Sequence, residues 1–231
     1  MNERYEPEVT AFMEQVLEPG LTVLDVGAHI GYHSLVARRF VGDSGKVVCF
    51  EPTPSTYEVL RRNCLHFPTM VLENIAINDG STPTIDLKDY GTMYAAWNTS
   101  LEPRMTDREK RYLPKPRIVT VAAASIDAYC QQYRNIKPDF IKLDIENGEM
   151  AALIGAKDTI SRCAPAIVFE GGDLARTDDN DTRACIDYLA STFGYSCFEF
   201  NFRYKTVVPH YPKPKGTYRG SYNILALPLE R

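Results

Sequence analysis

Short apolar runs alternate along most of the chain with longer stretches in which apolar residues recur at helical spacing. The run 21–26, for example, ends at a glycine-containing turn, and a helical stretch follows it to about Val41. Repetition of this strand and helix pattern is typical of an α/β protein with a doubly wound, mostly parallel sheet. We predict strands at 21–26, 46–51, 69–76, 83–88, 118–122, 139–144, 166–170, 196–202 and 222–228, and helices at 5–18, 31–41, 53–67, 125–133, 148–162 and 181–193.

The last two predicted strands follow each other without a helix, which predicts an antiparallel edge hairpin. A chain of 231 residues fits one domain, so we expect a single domain over 1–231. Its leading helix lies within 1–20 and ends at Pro19-Gly20. Two segments lack a regular period, namely 89–117, which we interpret as a lid insertion, and the basic and aromatic insertion 203–219.

Composition narrows the class of protein. Hydrophobic residues make up 44% of the chain and charged residues 24%, as in soluble globular proteins. No stretch approaches the ~20 apolar residues that span a bilayer, and the first residues lack a signal-peptide core, so we expect a cytoplasmic protein without a membrane partner. Six cysteines without a C-x-x-C pair are interpreted as reduced core residues, and a net charge of −4 argues against a protein that coats nucleic acid.

The turn after the first strand indicates a nucleoside cofactor. Its pattern is Asp25-x-Gly27-x-His29-x-Gly31, and Glu51 ends the second strand. Glycines let the backbone approach a ligand, and an acid at the second strand accepts hydrogen bonds from ribose hydroxyls. Because Asp25 would repel a diphosphate but could reach the ammonium of a methionine moiety, the turn favours S-adenosylmethionine over a nicotinamide dinucleotide. Histidine at position 29 is tolerable, since it is among the residues enriched at positive φ.

Carboxylates also follow the later strands, where the ligands of such sheets collect. If the strand that contains Lys142 stays extended, Lys142, Asp144 and Glu146 share one side of it. Asp144, and after it Glu146, could deprotonate an acceptor hydroxyl, whereas His33 and His29 are weaker candidates for catalysis. The carboxylates could instead hold Mg²⁺ with help from Glu170, but we do not favour a required metal.

Several segments together resemble the FkbM-type family of S-adenosylmethionine-dependent methyltransferases. The matching segments are 23–31 with Ser34, 50–52, 74–76, 140–149, 165–170 and 223–225. The resemblance implies a class I (Rossmann-like) methyltransferase fold with S-adenosylmethionine as cofactor. Asn147-Gly148 departs from the family's usual Glu-Gly-x-Glu, and His29 stands where asparagine is more frequent. The residues expected at the cofactor are Asp25, Gly27, Ala28, His29, Gly31, Ser34, Glu51, Pro52, Asn74, Ala76 and Asp144.

The acceptor is less defined by the sequence. No acidic residue occurs from Asn201 to Leu229, where Arg203 and Lys205 alternate with aromatic residues and prolines. This segment could hold an anionic acceptor such as a phosphorylated or nucleotide-linked sugar, could bind a nucleic acid strand, or could be a solvated loop. With Trp97 and Glu170, Arg203 and Lys205 are our candidates for acceptor contacts.

Four functions remain open at this point. We expect O-methylation of a sugar or a small secondary metabolite in a biosynthetic reaction, with a nucleic acid partner disfavoured and a homo-oligomer left open. The alternatives are N-methylation of a peptide, an amine or a nucleic acid, a nicotinamide-dependent oxidoreductase, and a non-catalytic partner protein that keeps the cofactor fold.

Overall fold

The computed structural model describes residues 5–91, 114–133, 136–145, 148–171, 182–201, 206–209 and 222–229. Most of the predicted lid (89–117) and of the insertion (203–219) lies outside the described residues. The helices in the described part are α1 Pro7–Val16, α2 Tyr32–Val41, α3 Pro54–Cys64, α4 Ile126–Gln132, α5 Glu149–Ile154, α6 Lys157–Cys163 and α7 Thr182–Phe193. The strands are β1 Thr22–Val26, β2 Lys46–Phe50, β3 Met70–Glu73, β4 Ala76–Ile77, β5 Thr84–Asp89, β6 Arg117–Ala124, β7 Phe140–Leu143, β8 Ala166–Gly171, β9 Tyr195–Asn201, β10 Thr206–Pro209 and β11 Tyr222–Pro228.

The main sheet has the strand order β10-β9-β11-β8-β7-β1-β2-β3. Strands β3, β2, β1, β7 and β8 are parallel, and β11, β9 and β10 continue the sheet with antiparallel pairings. The predicted doubly wound, mostly parallel sheet is thus confirmed, and β9 and β11 pair antiparallel as predicted. Strand β11 lies between β8 and β9, so the outer position of this antiparallel part belongs to β10.

A second, smaller sheet has the order β4-β6-β5. It arises because the predicted strand 69–76 divides into β3 and β4 at Asn74. The side-chain amide of Asn74 donates hydrogen bonds to the backbone oxygens of Glu51 (2.8 Å) and Pro52 (2.9 Å), which holds the chain in a turn there. The polypeptide therefore leaves the main sheet beside the end of β2.

The predicted helix 148–162 divides at Gly155 into α5 and α6. A Cβ atom at Gly155 would lie 2.2 Å from the backbone oxygen of Asn78, so the helix presses against the turn after β4 at this point. Helix α6 begins with a cap from another element, because the Asp127 carboxylate of α4 accepts hydrogen bonds from the N–H groups of Asp158 (2.9 Å) and Thr159 (2.7 Å). Helix propensity alone does not show such a break.

Both faces of the main sheet are covered by hydrophobic core. Leu24 and Ile141 face one cluster together with α4, α5 and α7, whereas Val23 and Phe140 face the other with α1, α2 and α3. This alternation follows from the two-residue period of a strand. Asp25 and Lys142 interrupt the second face, and they are paired neighbours on β1 and β7.

The six cysteines are free thiols, and four of them are buried, namely Cys49, Cys64, Cys130 and Cys185. Burial raises the pKa of the Cys64 thiol to about 11. Cys64 packs beneath the turn after β1, because a Cβ atom on Gly31 would lie 2.8 Å from its Sγ atom. The predicted reduced core cysteines are thus present. Within the described ranges, no helix has both the length and the apolar character needed to cross a membrane.

Candidate active site

A cavity of about 380 Å³ opens at the carboxyl ends of β1, β2 and β7. In an open α/β sheet, ligands bind in the crevice at the point where the strand order reverses, and β1 lies at that point here. The turn between β1 and α2 forms one wall of the cavity. Ile75 and the small-sheet residues Ile85 and Leu87 form an apolar wall, and Asp144 lies at the end of β7.

The turn between β1 and α2 depends on its glycines. Gly27 has a φ of 85°, and a Cβ atom there would lie 1.8 Å from the backbone oxygen of Asp144. Only glycine allows this approach of the turn to β7. His29 has a φ of 52°, as its residue type permitted. The turn therefore places backbone directly beside the cavity, with Ala28 and His29 among the lining residues.

Asp25 is a buried carboxyl in the wall of the cavity, with 2% of its surface exposed. Its Oδ2 atom accepts a hydrogen bond from the hydroxyl of Ser34, whereas Oδ1 is buried without a hydrogen-bond partner among the described residues. Burial raises the pKa of Asp25, and the nearby ammonium of Lys142 opposes that rise. An unpartnered carboxylate oxygen of this kind fits the ammonium group of a methionine moiety.

Glu51 is also buried, and both of its oxygens accept backbone hydrogen bonds. Oε2 accepts from the N–H of His29 (3.1 Å) and Oε1 from the N–H of Thr53 (2.9 Å). Burial raises the pKa of Glu51 to about 7, although these hydrogen bonds favour the ionised form. The two bonds fix the carboxylate at the tip of β2, and each oxygen keeps a lone pair that suits a hydroxyl donor.

The other residues expected at the cofactor divide into two groups. Pro52 and Ala76 line the cavity. Gly31, Asn74 and Ser34 are not among its lining residues. The Gly31 N–H donates to the backbone oxygen of Ala28 (2.8 Å), the Asn74 amide holds the backbone after β2, and the Ser34 hydroxyl holds Asp25. Their contribution is to fix groups that do line the cavity.

Asp144 is joined to Lys142 on the same strand, with 2.7 Å between Oδ2 and Nζ. Burial by itself would raise the pKa of Asp144, but the Lys142 ammonium holds it below its usual range. The Asp144 side chain is 20% exposed, whereas only 2% of the Lys142 side chain is exposed. Asp144 is therefore the carboxylate that a ligand can reach, and Lys142 lies behind it. A side-chain hydrogen bond with Glu170 of β8 also lowers the pKa of Asp144.

Four of the candidate residues lie outside the described residues, so their roles stay predictions. They are Glu146, Trp97, Arg203 and Lys205. In the part of the chain that the structure describes, no three or more His, Cys, Asp or Glu side chains form a group that could hold a metal ion.

The sequence did not reveal that residues before α1 reach the site. Tyr5 lines the cavity beside His33, with 5.8 Å between the ring centroids. Glu6, the residue before α1, has its Oε2 atom 3.8 Å from Lys142 Nζ and 3.6 Å from His33 Nε2. Burial lowers the pKa of His33 to about 3, so this ring is neutral at pH 7. The sequence predicted a leading helix from residue 5, whereas α1 begins at Pro7, and no local signal showed where Glu6 would point.

Comparison with known proteins identifies the family. The model of the methyltransferase FkbM domain matches residues 25–204, well over half of the chain. A protein-L-isoaspartate O-methyltransferase from Methanococcus maripaludis is 31% identical over 78 residues, which are 34% of this chain and 36% of that protein. This chain therefore spans little more than a third of the length of that curated relative.

Solved structures agree on the fold. A methyltransferase FkbM from Methylobacillus flagellatus matches 94% of this chain and 50% of its own with a TM-score of 0.53 and 16% identity. An O-methyltransferase from Bacillus cereus, solved in complex with SAH, matches 99% of this chain and 84% of its own with a TM-score of 0.54 and 14% identity. Together with the family model, these matches confirm the predicted class I fold, and the chain belongs to the FkbM methyltransferase domain family.

Proposed function

We propose that this protein transfers a methyl group from S-adenosylmethionine to a hydroxyl of a sugar or a small metabolite. The observation that carries the proposal is a single cavity with the Asp25 and Glu51 carboxylates at its glycine turn and the Asp144 carboxylate at the end of β7. Membership of the FkbM family supports the methyl donor. The free cysteines suit a reducing compartment, so we expect the reaction in the cytoplasm.

The residues of the cavity fit this cofactor group by group. When bound, S-adenosylmethionine supplies an electrophilic methyl group on a sulfonium centre. Glu51 would accept hydrogen bonds from the ribose hydroxyls, and Asp25 Oδ1 would accept one from the methionine ammonium. The apolar side chains of Ile75, Ile85 and Leu87 would pack against the adenine ring.

Asp144 is our candidate base for an oxygen acceptor. It lines the cavity, is the exposed member of its ion pair with Lys142, and lies beside the glycine turn. An alcohol must lose its proton as it attacks a methyl group, whereas a neutral amine can attack before it loses one, so a placed carboxylate favours oxygen. Glu146, Glu170, Trp97, Arg203 and Lys205 remain candidates around the acceptor.

Calorimetry with S-adenosylhomocysteine and with NAD tests the cofactor. We expect binding of the former alone. Binding of NAD without binding of S-adenosylhomocysteine would show that the chain is an oxidoreductase rather than a methyltransferase.

A methyl-transfer screen with labelled cofactor and separate pools of sugars, small metabolites, peptides, amines and RNA tests the acceptor. We expect label in the sugar or metabolite pool, and turnover confined to amines, peptides or RNA would reject O-methylation of a small molecule. Asp144→Asn should lose most turnover and keep cofactor affinity. Asp139→Asn is the matched control, because Asp139 directly precedes the same strand but is not among the residues that line the cavity. Its carboxylate accepts a hydrogen bond from the Thr22 N–H at 2.8 Å.

A further inference from the structure

Glu6 is held in an unusual conformation beside the site. Its backbone is left-handed, with φ 41° and ψ 65°, although it is neither glycine nor asparagine. Such a conformation is unfavourable for a residue with a side chain and persists where the surrounding structure determines it. The amide of Asn223 on β11 donates a hydrogen bond to Glu6 Oε1 at 3.0 Å. A residue from near the end of the chain thus fixes a carboxylate from near its beginning.

The second oxygen of Glu6 faces the ion pair of the cavity wall. Glu6 Oε2 is buried without a hydrogen bond among the described residues, 3.8 Å from Lys142 Nζ. Lys142 Nζ lies 2.7 Å from Asp144 Oδ2 on its other side. The ammonium group therefore lies between two carboxylates and is close to one of them.

We propose that Glu6 is a positioning residue for methyl transfer: it offers the Lys142 ammonium a second carboxylate partner, so that Asp144 can accept the proton of an acceptor oxygen. This inference rests on the proposed function, in which Asp144 is the base. Without a second partner, Lys142 would hold Asp144 as an ion pair and oppose its protonation. With Glu6 present, the ammonium shifts toward Glu6 as the charge of Asp144 disappears.

In the proposed methyl transfer, the O–H bond of the acceptor breaks and its proton goes to a carboxylate oxygen of Asp144. The acceptor oxygen forms a bond to the methyl carbon, and the carbon–sulfur bond breaks with its electron pair left on sulfur. Asp144 becomes neutral, and the charge of the Lys142 ammonium is then balanced by Glu6 and by Asp25 on β1.

Any pH dependence of Asp144 reflects several groups besides Glu6. The titratable groups that face Asp144 are Lys142 on β7, Glu170 on β8, Asp25 on β1, His33 on α2, His29 in the turn after β1, and Tyr5 and Glu6 before α1. Removal of the anionic Glu6 should make Asp144 harder to protonate, whereas removal of Lys142 should make it easier. The opposite signs separate this role from a general loss of structure.

The decisive experiment compares Glu6→Gln with the wild type and with Glu8→Gln. Glu8 is a matched control, because its Oε1 atom contacts the same Asn223 amide at 3.4 Å, but among the described residues it forms no ion pair with Lys142. Binding of S-adenosylhomocysteine and of sinefungin, which carries an amine in place of the sulfonium methyl, is measured by calorimetry at pH 7. The affinity of sinefungin relative to S-adenosylhomocysteine then reports how much negative charge Asp144 offers to a cation in the cavity.

We expect Glu6→Gln to keep its affinity for S-adenosylhomocysteine within about threefold. The affinity of sinefungin relative to S-adenosylhomocysteine should fall about threefold or more in Glu6→Gln, because Lys142 then pairs with Asp144 alone, and it should rise in Lys142→Met. Turnover of the sugar or metabolite pool should fall about tenfold or more in Glu6→Gln, and Glu6→Asp should recover part of the turnover and of the affinity ratio.

Two results distinguish a failure of the proposed Glu6 role from a failure of the proposed function. If Glu6→Gln matches Glu8→Gln in the sinefungin affinity ratio and in turnover, the role of Glu6 is wrong even though the cofactor binds. If the wild type binds no S-adenosylhomocysteine, the proposed function itself fails. Thermal unfolding of each variant checks the fold, and the comparison of the glutamate variants decides even if Lys142→Met does not fold.

Discussion

The Glu51 carboxylate is our candidate to bind the ribose hydroxyls, and its burial opposes its charge. Its pKa of about 7 means that much of the cofactor-free protein carries a neutral carboxyl there near neutral pH. Two ribose hydroxyls need the ionised form as acceptor, so nucleoside binding should release a proton. The acid that we propose to bind the ribose is thereby also a pH-dependent element of the site.

Adenosine, which has a ribose but no amino acid to titrate, should therefore bind about tenfold more tightly at pH 8 than at pH 6. The measurement is calorimetry at both pH values. Glu51→Gln should bind weakly with no such dependence, and Glu58→Gln on the exposed face of α3 should behave as wild type. An equal pH slope in Glu51→Gln would assign the titration to another group.

His33 should make the protein sensitive to acid. Burial lowers its pKa from 6.5 to about 3, so the unfolded chain takes up this proton at a higher pH than the folded protein does. The contribution of His33 to stability is then fully present above pH 6.5 and is lost as pH falls toward 3. The loss is on the order of 1.4 kcal/mol for each pH unit in that window.

Urea unfolding from pH 7 to pH 4 tests this expectation. His33→Gln should lose less stability on acidification than the wild type, whereas His66→Gln, at an exposed position, should follow the wild type. Buried carboxyls whose pKa is raised, such as Asp25, act in the opposite direction, but they are common to the three proteins. Identical acid profiles for wild type and His33→Gln would contradict the assignment.

Single residues also show what the sequence could predict. The positions of the glycine turn, Glu51 and Asp144 at one cavity were predictable, because each position depends on a local pattern: a strand, its end and the turn that follows. The placement of Glu6 was not predictable, since it depends on Asn223, which lies 217 positions away in the chain. The pairing of Lys142 with Glu6 required the docking of α1 on the sheet.

At the scale of elements, the break between α5 and α6 depends on a cap from outside the helix. The Asp127 carboxylate accepts two hydrogen bonds from the first turn of α6, whose own preceding residue, Ala156, has no side chain that can cap it. A helix N-terminus leaves N–H groups without partners, and a capping carboxylate satisfies them. The cap also ties α4 to α6.

Asp127→Ala should destabilise the protein by about 1–2 kcal/mol, because the cap and the link to α4 are lost together. Chemical denaturation gives the difference in the free energy of unfolding. Asp158→Ala in the same first turn removes a charge but no observed hydrogen bond, and it should cost about 0.5 kcal/mol or less. Equal losses of unfolding free energy in both variants would mean that Asp127 stabilises α6 through its charge at the helix dipole rather than through the capping hydrogen bonds.

Element boundaries show why helix and strand periods predict only part of the fold. The order and types of most strands and helices followed from the apolar pattern, but β10 (Thr206–Pro209) lies within the predicted insertion 203–219 and was not predicted as a strand. The divisions at Asn74 and Gly155 did not, since both depend on backbone groups of other elements, namely the end of β2 and the turn after β4. The position of β11 between β8 and β9 likewise depends on tertiary pairing rather than on local sequence.

At the scale of the whole molecule, the small sheet forms its own hydrophobic cluster. Leu87 and Val121 pack with Ala76 there, apart from the two clusters that cover the main sheet. Few buried apolar contacts mean a low free energy of local opening. The side chains of Ile85 and Leu87 nevertheless line the cavity, so a bound nucleoside should stabilise this sheet.

Hydrogen exchange should show this coupling. Without ligand, amides of β5 and β6 should exchange faster than those of β1 and β7, and S-adenosylhomocysteine should slow them by about tenfold or more. Strands β9 and β10 provide the internal control, because none of their residues lines the cavity. Uniform slowing of all strands would indicate global stabilisation instead of coupling through the small sheet.

The thiol beneath the glycine turn has a practical consequence. Cys64 is buried, protonated at neutral pH and packed under Gly31, so an alkylating reagent reaches it only after α3 separates from the turn. Its modification rate, followed by mass spectrometry against that of the less buried Cys163 and Cys197, would report transient separation of α3 from the glycine turn in an unlabelled, unmutated protein. Cys64 is therefore a natural chemical probe of ligand binding at the glycine turn.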